Sequence, residues 1–138
     1  MTFKQADFQE KINIQSLSTL YGRQIGTVNY ITKFPGKITL HCNLDLFNVK
    51  ENYPYHLELY LVRPNQYSDK ILSSTITIED STLIETNDGY GKTSINFDFV
   101  LSLVQSGDYR LDFILSDKKN NELDKKYTYL YFGTEEKE

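Results

Sequence analysis

The strict alternation of apolar and polar residues between positions 37 and 47 constrains the fold more than any other feature. Every even-numbered position from 38 to 46 is apolar, and polar residues such as Thr39, His41 and Asn43 stand between them. A β-strand turns successive side chains to opposite faces, whereas on a helix the same residues would spread around the cylinder. The pattern therefore predicts a strand with one face in the core. A shift of its register by one residue would expose the whole apolar set.

A second stretch, from Ser106 to Leu115, carries the same period. A Ser-Gly-Asp turn leads into a run whose apolar phase begins at Tyr109 and continues through Leu111 and Phe113. This pattern predicts a strand half buried against the core. A Tyr placed directly after the turn that begins a late strand resembles the tyrosine corner of immunoglobulin-like sandwiches.

The remaining segments alternate in a similar way and are separated by turn signals, with no convincing amphipathic helix. Such a series predicts an all-β fold, an antiparallel immunoglobulin-like β-sandwich of about seven to nine strands. The 138 residues suit a single domain over 1–138. We expect residues 1–10 to form an arm, a short helix or a first edge strand, and residues 134–138 to be a disordered charged tail.

Two stretches also carry a family resemblance. Gly26 to Leu46 contains the Phe34-Pro35-Gly36 turn before the long alternating segment, and Ser106 to Leu115 contains the Gly-Asp-Tyr-Arg turn and strand. Together they resemble an uncharacterised group of small bacterial immunoglobulin-like β-sandwich proteins, over about residues 20 to 132. The resemblance implies the fold and transfers no activity and no site.

The charge balance bears on the partners. With 15 basic and 19 acidic residues, the formal net charge is −4, and there is no basic stripe of the kind that attracts nucleic acid. No apolar stretch approaches the ~20 residues that cross a bilayer. The N-terminus also lacks the basic start and apolar run of a signal peptide. We therefore expect a cytoplasmic protein that binds neither nucleic acid nor membrane.

Few residues are suited to catalysis or metal binding. The single cysteine, Cys42, stands in the apolar phase of its strand and is predicted to be a core residue, not a nucleophile. His41 shares the polar face of one predicted strand with Asp45, and His56 shares that of another with Glu58. We expect exposed histidines on separate sheets, with no catalytic site, no metal site and no cofactor.

Tyrosine is the residue in surplus, with 11 copies and no Trp. In the last predicted strand Tyr127, Tyr129 and Tyr131 share one phase, and Leu130 and Phe132 share the other. Because both sets cannot face the core, one of them faces outward. An outward aromatic stripe would be a surface for a protein partner or for self-association. Alternatively, both faces are covered within the monomer, for instance by the N-terminal arm.

These observations predict a non-enzymatic protein-interaction or structural module that uses a sheet face or an edge strand. The alternative is a ligand- or carbohydrate-binding sandwich that uses tyrosines in its loops as stacking platforms. The residues for such a ligand loop are Tyr67, Asn87, Asp88 and Tyr90. A hydrolytic or metal-dependent enzyme is the third possibility.

Overall fold

A computed structural model describes residues 9–87 and 89–134, and these residues form nine strands. Residues 1–8, which are most of the predicted arm, and residues 135–138 of the predicted tail lie outside the described residues. A single 3-10 turn spans Asp80–Thr82, and no helix in the described ranges is long and apolar enough to cross a membrane. The strands are β1 (Lys11–Thr19), β2 (Val28–Ile31), β3 (Gly36–Lys50), β4 (Pro54–Val62), β5 (Ser68–Thr77), β6 (Ile84–Asn87), β7 (Tyr90–Leu103), β8 (Gly107–Ser116) and β9 (Glu122–Thr134).

The strands form two sheets, one of four strands in the order β1-β3-β7-β6 and one of five in the order β2-β9-β8-β4-β5. In immunoglobulin lettering, the four-stranded sheet β1-β3-β7-β6 corresponds to A-B-E-D. The strands β9-β8-β4 of the other sheet correspond to G-F-C. This is the immunoglobulin strand order. The prediction of an all-β sandwich of seven to nine strands is thus confirmed. The strand pairs are antiparallel as predicted, with one exception at an edge of the five-stranded sheet, where β2 pairs with β9 in parallel.

The predicted alternation of β3 places its apolar side chains between the sheets. Leu40, Cys42 and Leu44 are fully buried, and the residues between them lie on the outer face. From β4 and β8, residues such as Leu59 and Phe113 enter the same cluster from the opposite sheet. Burial of each such side chain contributes roughly 1.5–3 kcal/mol before the entropy of ordering is subtracted. The two inner faces therefore fix the register of both sheets.

The tyrosine corner predicted at Tyr109 is present at the start of β8. The Tyr109 hydroxyl donates a hydrogen bond of 2.6 Å to the carbonyl oxygen of Gln105, four residues upstream. The ring is buried and meets the ring of Phe132 edge-on, with 5.7 Å between the ring centroids. The Tyr109 side chain therefore anchors the β7–β8 connection, which joins the two sheets, to the core.

Gly107 makes the turn before Tyr109 possible. Its φ is +146°, a backbone conformation that residues with a side chain rarely adopt. A Cβ at this position would also lie only 2.9 Å from Cγ of Pro64. Both the backbone conformation and the lack of room for a side chain therefore require glycine at position 107 of the Ser-Gly-Asp turn.

Removal of the Tyr109 hydroxyl tests the corner. Tyr109→Phe is expected to lower the free energy of unfolding by about 1 kcal/mol, since the Gln105 carbonyl loses its donor. Urea unfolding followed by circular dichroism measures this change. The control Tyr67→Phe alters a side chain that is 72% exposed and should have almost no effect. Equal stabilities of the two variants would contradict the assigned role of the corner.

The state of Cys42 gives a second test of the core. Burial raises the pKa of its thiol to about 12, so the reactive thiolate is scarce at neutral pH. We expect a disulfide reagent such as Ellman's reagent to label Cys42 only as fast as the domain unfolds. Labelling in denaturant supplies the reference rate. Rapid labelling of the native protein would contradict the position of Cys42 between the sheets.

Candidate functional site

The outer faces of the two sheets differ in chemistry. On the four-stranded sheet, polar side chains of neighbouring strands bond to one another. Nδ1 of His41 lies 2.6 Å from Oδ1 of Asp98, and the Ser94 hydroxyl donates a hydrogen bond of 2.6 Å to Asp45. This face therefore offers solvent a hydrogen-bonded polar surface.

The outer face of the five-stranded sheet is rich in tyrosine, and we call it the tyrosine face. Three of its rings are strongly exposed: Tyr129 at 67%, Tyr30 at 54% and Tyr127 at 45%. The face draws on β2, β9, β8 and β4, so it extends well beyond one strand. Its central residues are Val28, Tyr30, Tyr60, Val62, Arg110, Tyr127, Tyr129 and Tyr131.

The orientation of β9 follows from its buried residues. Leu130 and Phe132 are only 4% and 0% exposed, so the alternate phase of the strand points away from the core. Of the three predicted surface tyrosines, Tyr127 and Tyr129 are exposed, whereas Tyr131 is half-buried. The structure thus brings all three predicted residues to one surface.

The half-burial of Tyr131 has a local cause. A Cβ on Gly133 would lie 3.0 Å from both Cε1 and the hydroxyl oxygen of Tyr131, so this side chain packs closely over the glycine. On the neighbouring strand, Val28 pairs with Tyr131 and Tyr30 pairs with Gly133. The missing side chain at Gly133 therefore leaves space for an aromatic layer at this edge of the face.

The central charges of the tyrosine face are paired within the domain. Arg110 binds Asp112 through two hydrogen bonds of 2.7 and 2.9 Å, and its guanidinium lies 4.2 Å from the centre of the Tyr127 ring. The hydrogen bonds to Asp112 raise the pKa of Arg110 above its usual range. Asp112 itself is only 5% exposed. The carboxylate thus fixes the guanidinium beneath the exposed rings.

A second paired cluster lies on β4 and β5. The Tyr60 hydroxyl donates a 2.6 Å hydrogen bond to Glu58, and Nζ of Lys70 lies 3.1 Å from the same carboxylate oxygen. The hydrogen bond from Tyr60, followed by that from Lys70, lowers the pKa of Glu58. The same bond raises the pKa of Tyr60. Glu58 is therefore ionised at neutral pH and already has two donors.

An open groove of about 890 Å³ lies at one end of the tyrosine face. It runs between the β4–β5 connection and β8, and its lining includes Arg63, Pro64, Asp108, Arg110 and Tyr129. The groove gives the face a concave end next to its most exposed central ring.

The residues predicted for a ligand loop do not form one site. Tyr90 begins β7 opposite Lys50, at the end of the sandwich where β3 finishes. Tyr67 lies in the β4–β5 connection, where its carbonyl oxygen accepts a 2.9 Å hydrogen bond from the Arg63 N–H, near the start of β8 at the opposite end. Asn87 pairs with Tyr90 in the backbone ladder, while Asp88 lies outside the described residues. The idea of a shared loop fails because strands about ten residues long separate its members.

The two histidines lie on different sheets, as expected. His41 contacts Asp98, and Nδ1 of His56 lies 3.2 Å from the Thr75 hydroxyl. Within residues 9–87 and 89–134, no three His, Cys, Asp or Glu side chains gather into a possible metal site.

Sequence reasoning missed several members of the tyrosine face. Val28 and Tyr30 join it through the parallel pairing of β2 with β9, a contact across about a hundred positions that leaves no local signal. Arg110 could have been found, because it lies in the polar phase of β8 and the predicted strand pair would set it beside β9.

The Glu58 cluster generates a pH-dependent prediction. Because the folded-state pKa of Glu58 is lowered, its stabilising contribution is complete above the unfolded-state pKa of about 4.3 and is lost as the pH falls through the folded-state value. Tyr60→Phe removes the main cause. We expect this variant to be destabilised at neutral pH and to approach the wild type in acid, as measured by urea unfolding. A pH-independent difference, or an equal effect of Tyr67→Phe, would contradict it.

Comparisons with known proteins identify the fold. No protein-family model matches the chain, and no curated protein sequence matches it. Among solved structures, a Mobiluncus mulieris bacterial adhesin has a TM-score of 0.60 and 9% identity, over 91% of this chain and 58% of its own. A Bacteroides uniformis beta-glucuronidase has a TM-score of 0.60 and 14% identity, over 90% of this chain and 14% of its own.

A third similar structure matches over its full length. It is the CARDB domain of a Pyrococcus furiosus protein, solved in complex with di-metal ions, with a TM-score of 0.51, 10% identity and 98% of this chain covered. The chain thus spans little more than half of the adhesin and a small part of the glucuronidase. At these identities the similarity shows the β-sandwich fold, and the group suggested by the sequence resemblance stays a prediction.

Proposed function

We propose that this domain is a non-enzymatic protein-binding module and that the tyrosine face is its binding surface. One observation carries the proposal: an exposed aromatic surface covers one side of the sandwich, and its central charges already have partners. Among the described residues, the central strands β3 and β7 of the other sheet carry no comparably exposed ring on their outer face, where Phe47 is half-buried and its ring centre lies 4.2 Å from Nζ of Lys92.

The chemistry of this face suits a protein partner. Tyrosine offers a large contact area and a polar end, and it loses little rotamer entropy on binding. Tyr and Arg are also the residue types that most often dominate binding energy at interfaces. Because Arg110 is held by Asp112 and by the Tyr127 ring, a partner does not have to order it.

The positions of the reactive side chains favour binding over catalysis. Cys42 is fully buried, and the two histidines lie on outer faces of different sheets without a shared cavity. The similarity to a bacterial adhesin and to a CARDB domain is consistent with a β-sandwich module.

Site-specific photo-crosslinking in the cells that make the protein tests the proposal. A photoreactive phenylalanine analogue replaces Tyr129, and the same analogue at Tyr67, which is equally exposed, serves as the control. We expect the probe at 129 to crosslink to one protein species, identified by mass spectrometry. The crosslink should disappear when Tyr127→Ser is added.

Two results would overturn the proposal. The first is an equal yield of crosslinks from positions 129 and 67, since this would show only random encounters. The second is specific glycan binding that is lost in Tyr129→Ser, with no protein crosslinked from position 129. That outcome would establish the carbohydrate-binding alternative on the same rings.

A further inference from the structure

We propose that the partner of the tyrosine face is a second copy of this chain, related to the first by a two-fold axis that runs along β8. This inference rests on the proposed function and adds the identity and orientation of the partner. The strand register sets rows of side chains across the face, and a two-fold axis along β8 brings complementary ends of these rows together.

Three rows cross the central strands β4, β8 and β9 at successive outward positions. The first joins Val62, Arg110 and Tyr129, the second joins Tyr60, Asp112 and Tyr127, and the third joins Glu58, Ile114 and Lys125. Since β4 and β9 flank β8 at the same strand spacing, each row has one residue on either side of a central one.

A two-fold axis along β8 exchanges the two ends of every row between copies. It sets Tyr129 against Val62 and Tyr127 against Tyr60, which are apolar and aromatic contacts. It also sets Lys125 against Glu58, a pair of opposite charges. Each row is thus complementary to itself, as an isologous interface requires.

The residues on the axis are compatible with this arrangement. Ile114 of one copy meets Ile114 of the other. Arg110 meets its own copy, but each guanidinium is neutralised by two hydrogen bonds to Asp112 and rests against Tyr127. Asp112, the central residue of the second row, also meets its own copy. Because each Arg110–Asp112 pair has no net charge, the repulsion between like charges at the centre is reduced.

The size of the face matches a dimer interface. Strands lie about 4.8 Å apart and rise about 3.3 Å per residue, so the four long strands of this sheet (β9, β8, β4 and the edge strand β5), at about nine residues each, cover roughly 19 Å by 30 Å, or about 570 Å². Strand β2 and the relief of the large side chains add to this flat area. The sum is comparable to the ~800 Å² per partner of a standard interface.

Sedimentation equilibrium over a wide range of concentration tests the inference. We expect a monomer–dimer equilibrium in the wild type. Lys125→Glu should weaken the dimer by about tenfold, because it sets two acidic groups against each other across the interface. Lys126→Glu is the matched control, with the same charge change on the next residue, which the strand pleat turns to the opposite face.

A charge exchange makes the test specific to orientation. The double variant with Lys125→Glu and Glu58→Lys should recover most of the affinity that Lys125→Glu loses, and circular dichroism checks that each variant is folded. As a second measurement, a photoreactive probe at 129 in purified protein should crosslink to the β4 peptide around Val62. Mixed isotope-labelled and unlabelled copies show whether that crosslink joins two molecules.

The outcomes separate this inference from the proposed function. A monomer at every concentration, together with a cellular crosslink from position 129 to a different protein, overturns the inference and leaves the binding face intact. A dimer that resists Lys125→Glu and crosslinks from 129 to other segments overturns the proposed axis. A monomer without any specific crosslink from 129 overturns both proposals.

Discussion

The burial of two apolar inner faces against each other is the constraint on which the structure depends. Along β3 and β8 the apolar residues recur at every second position, and strand geometry permits only one register that hides all of them. Once Leu44 and Phe113 lie between the sheets, every intervening residue must face outward. The composition of the outer faces is therefore fixed by the same packing that stabilises the domain, and any binding surface has to be built from the remaining phase.

The tyrosine face is a consequence of this constraint in β9. Leu130 and Phe132 complete the core, and Phe132 also packs against the Tyr109 ring of the corner. A β9 shifted by one residue would expose these two side chains and turn Tyr129 and the charged Lys125 toward the core. The shifted register loses apolar burial and places polar groups in the core. The packing of Leu130 and Phe132 therefore determines that the tyrosines of β9 face outward.

Most of the fold could be predicted from the sequence because its signals are local. The alternation from 38 to 46, the turn at Gly107 and the corner at Tyr109 each lie within about ten residues, and all three are present. The parallel pairing of β2 with β9 was missed, since it depends on a contact between distant segments. Tyr67 and Tyr90 were grouped by residue type and loop position, but the lengths of β4 and β7 place them at opposite ends of the sandwich.

The site was predictable only in part for the same reason. The sequence shows that Tyr127 and Tyr129 face the opposite side of β9 from Leu130. Which of the two sides faces the core depends on packing against the opposite sheet. The pairing of Arg110 with Asp112 is local, since the two residues occupy consecutive outward positions on β8. Its position beneath the Tyr127 ring depends on the register between β8 and β9. Local pattern thus specifies the parts of the face, and strand register assembles them.

The internal pairing of charges bears on how such a face can bind. A lone Arg110 at the centre of a protein interface would lose its water without compensation, and a partner carboxylate would have to approach with correct geometry. Here Asp112 of the same strand supplies that carboxylate, and the ring of Tyr127 on the neighbouring strand contacts the guanidinium. The centre of the face can therefore lose its water without leaving an unpaired charge, whereas Lys125 near its rim keeps a charge that can select the orientation of a partner. Different residues of β9 thus contribute differently to binding. The exposed rings of Tyr127 and Tyr129 provide affinity, and the charge of Lys125 selects the orientation of the partner.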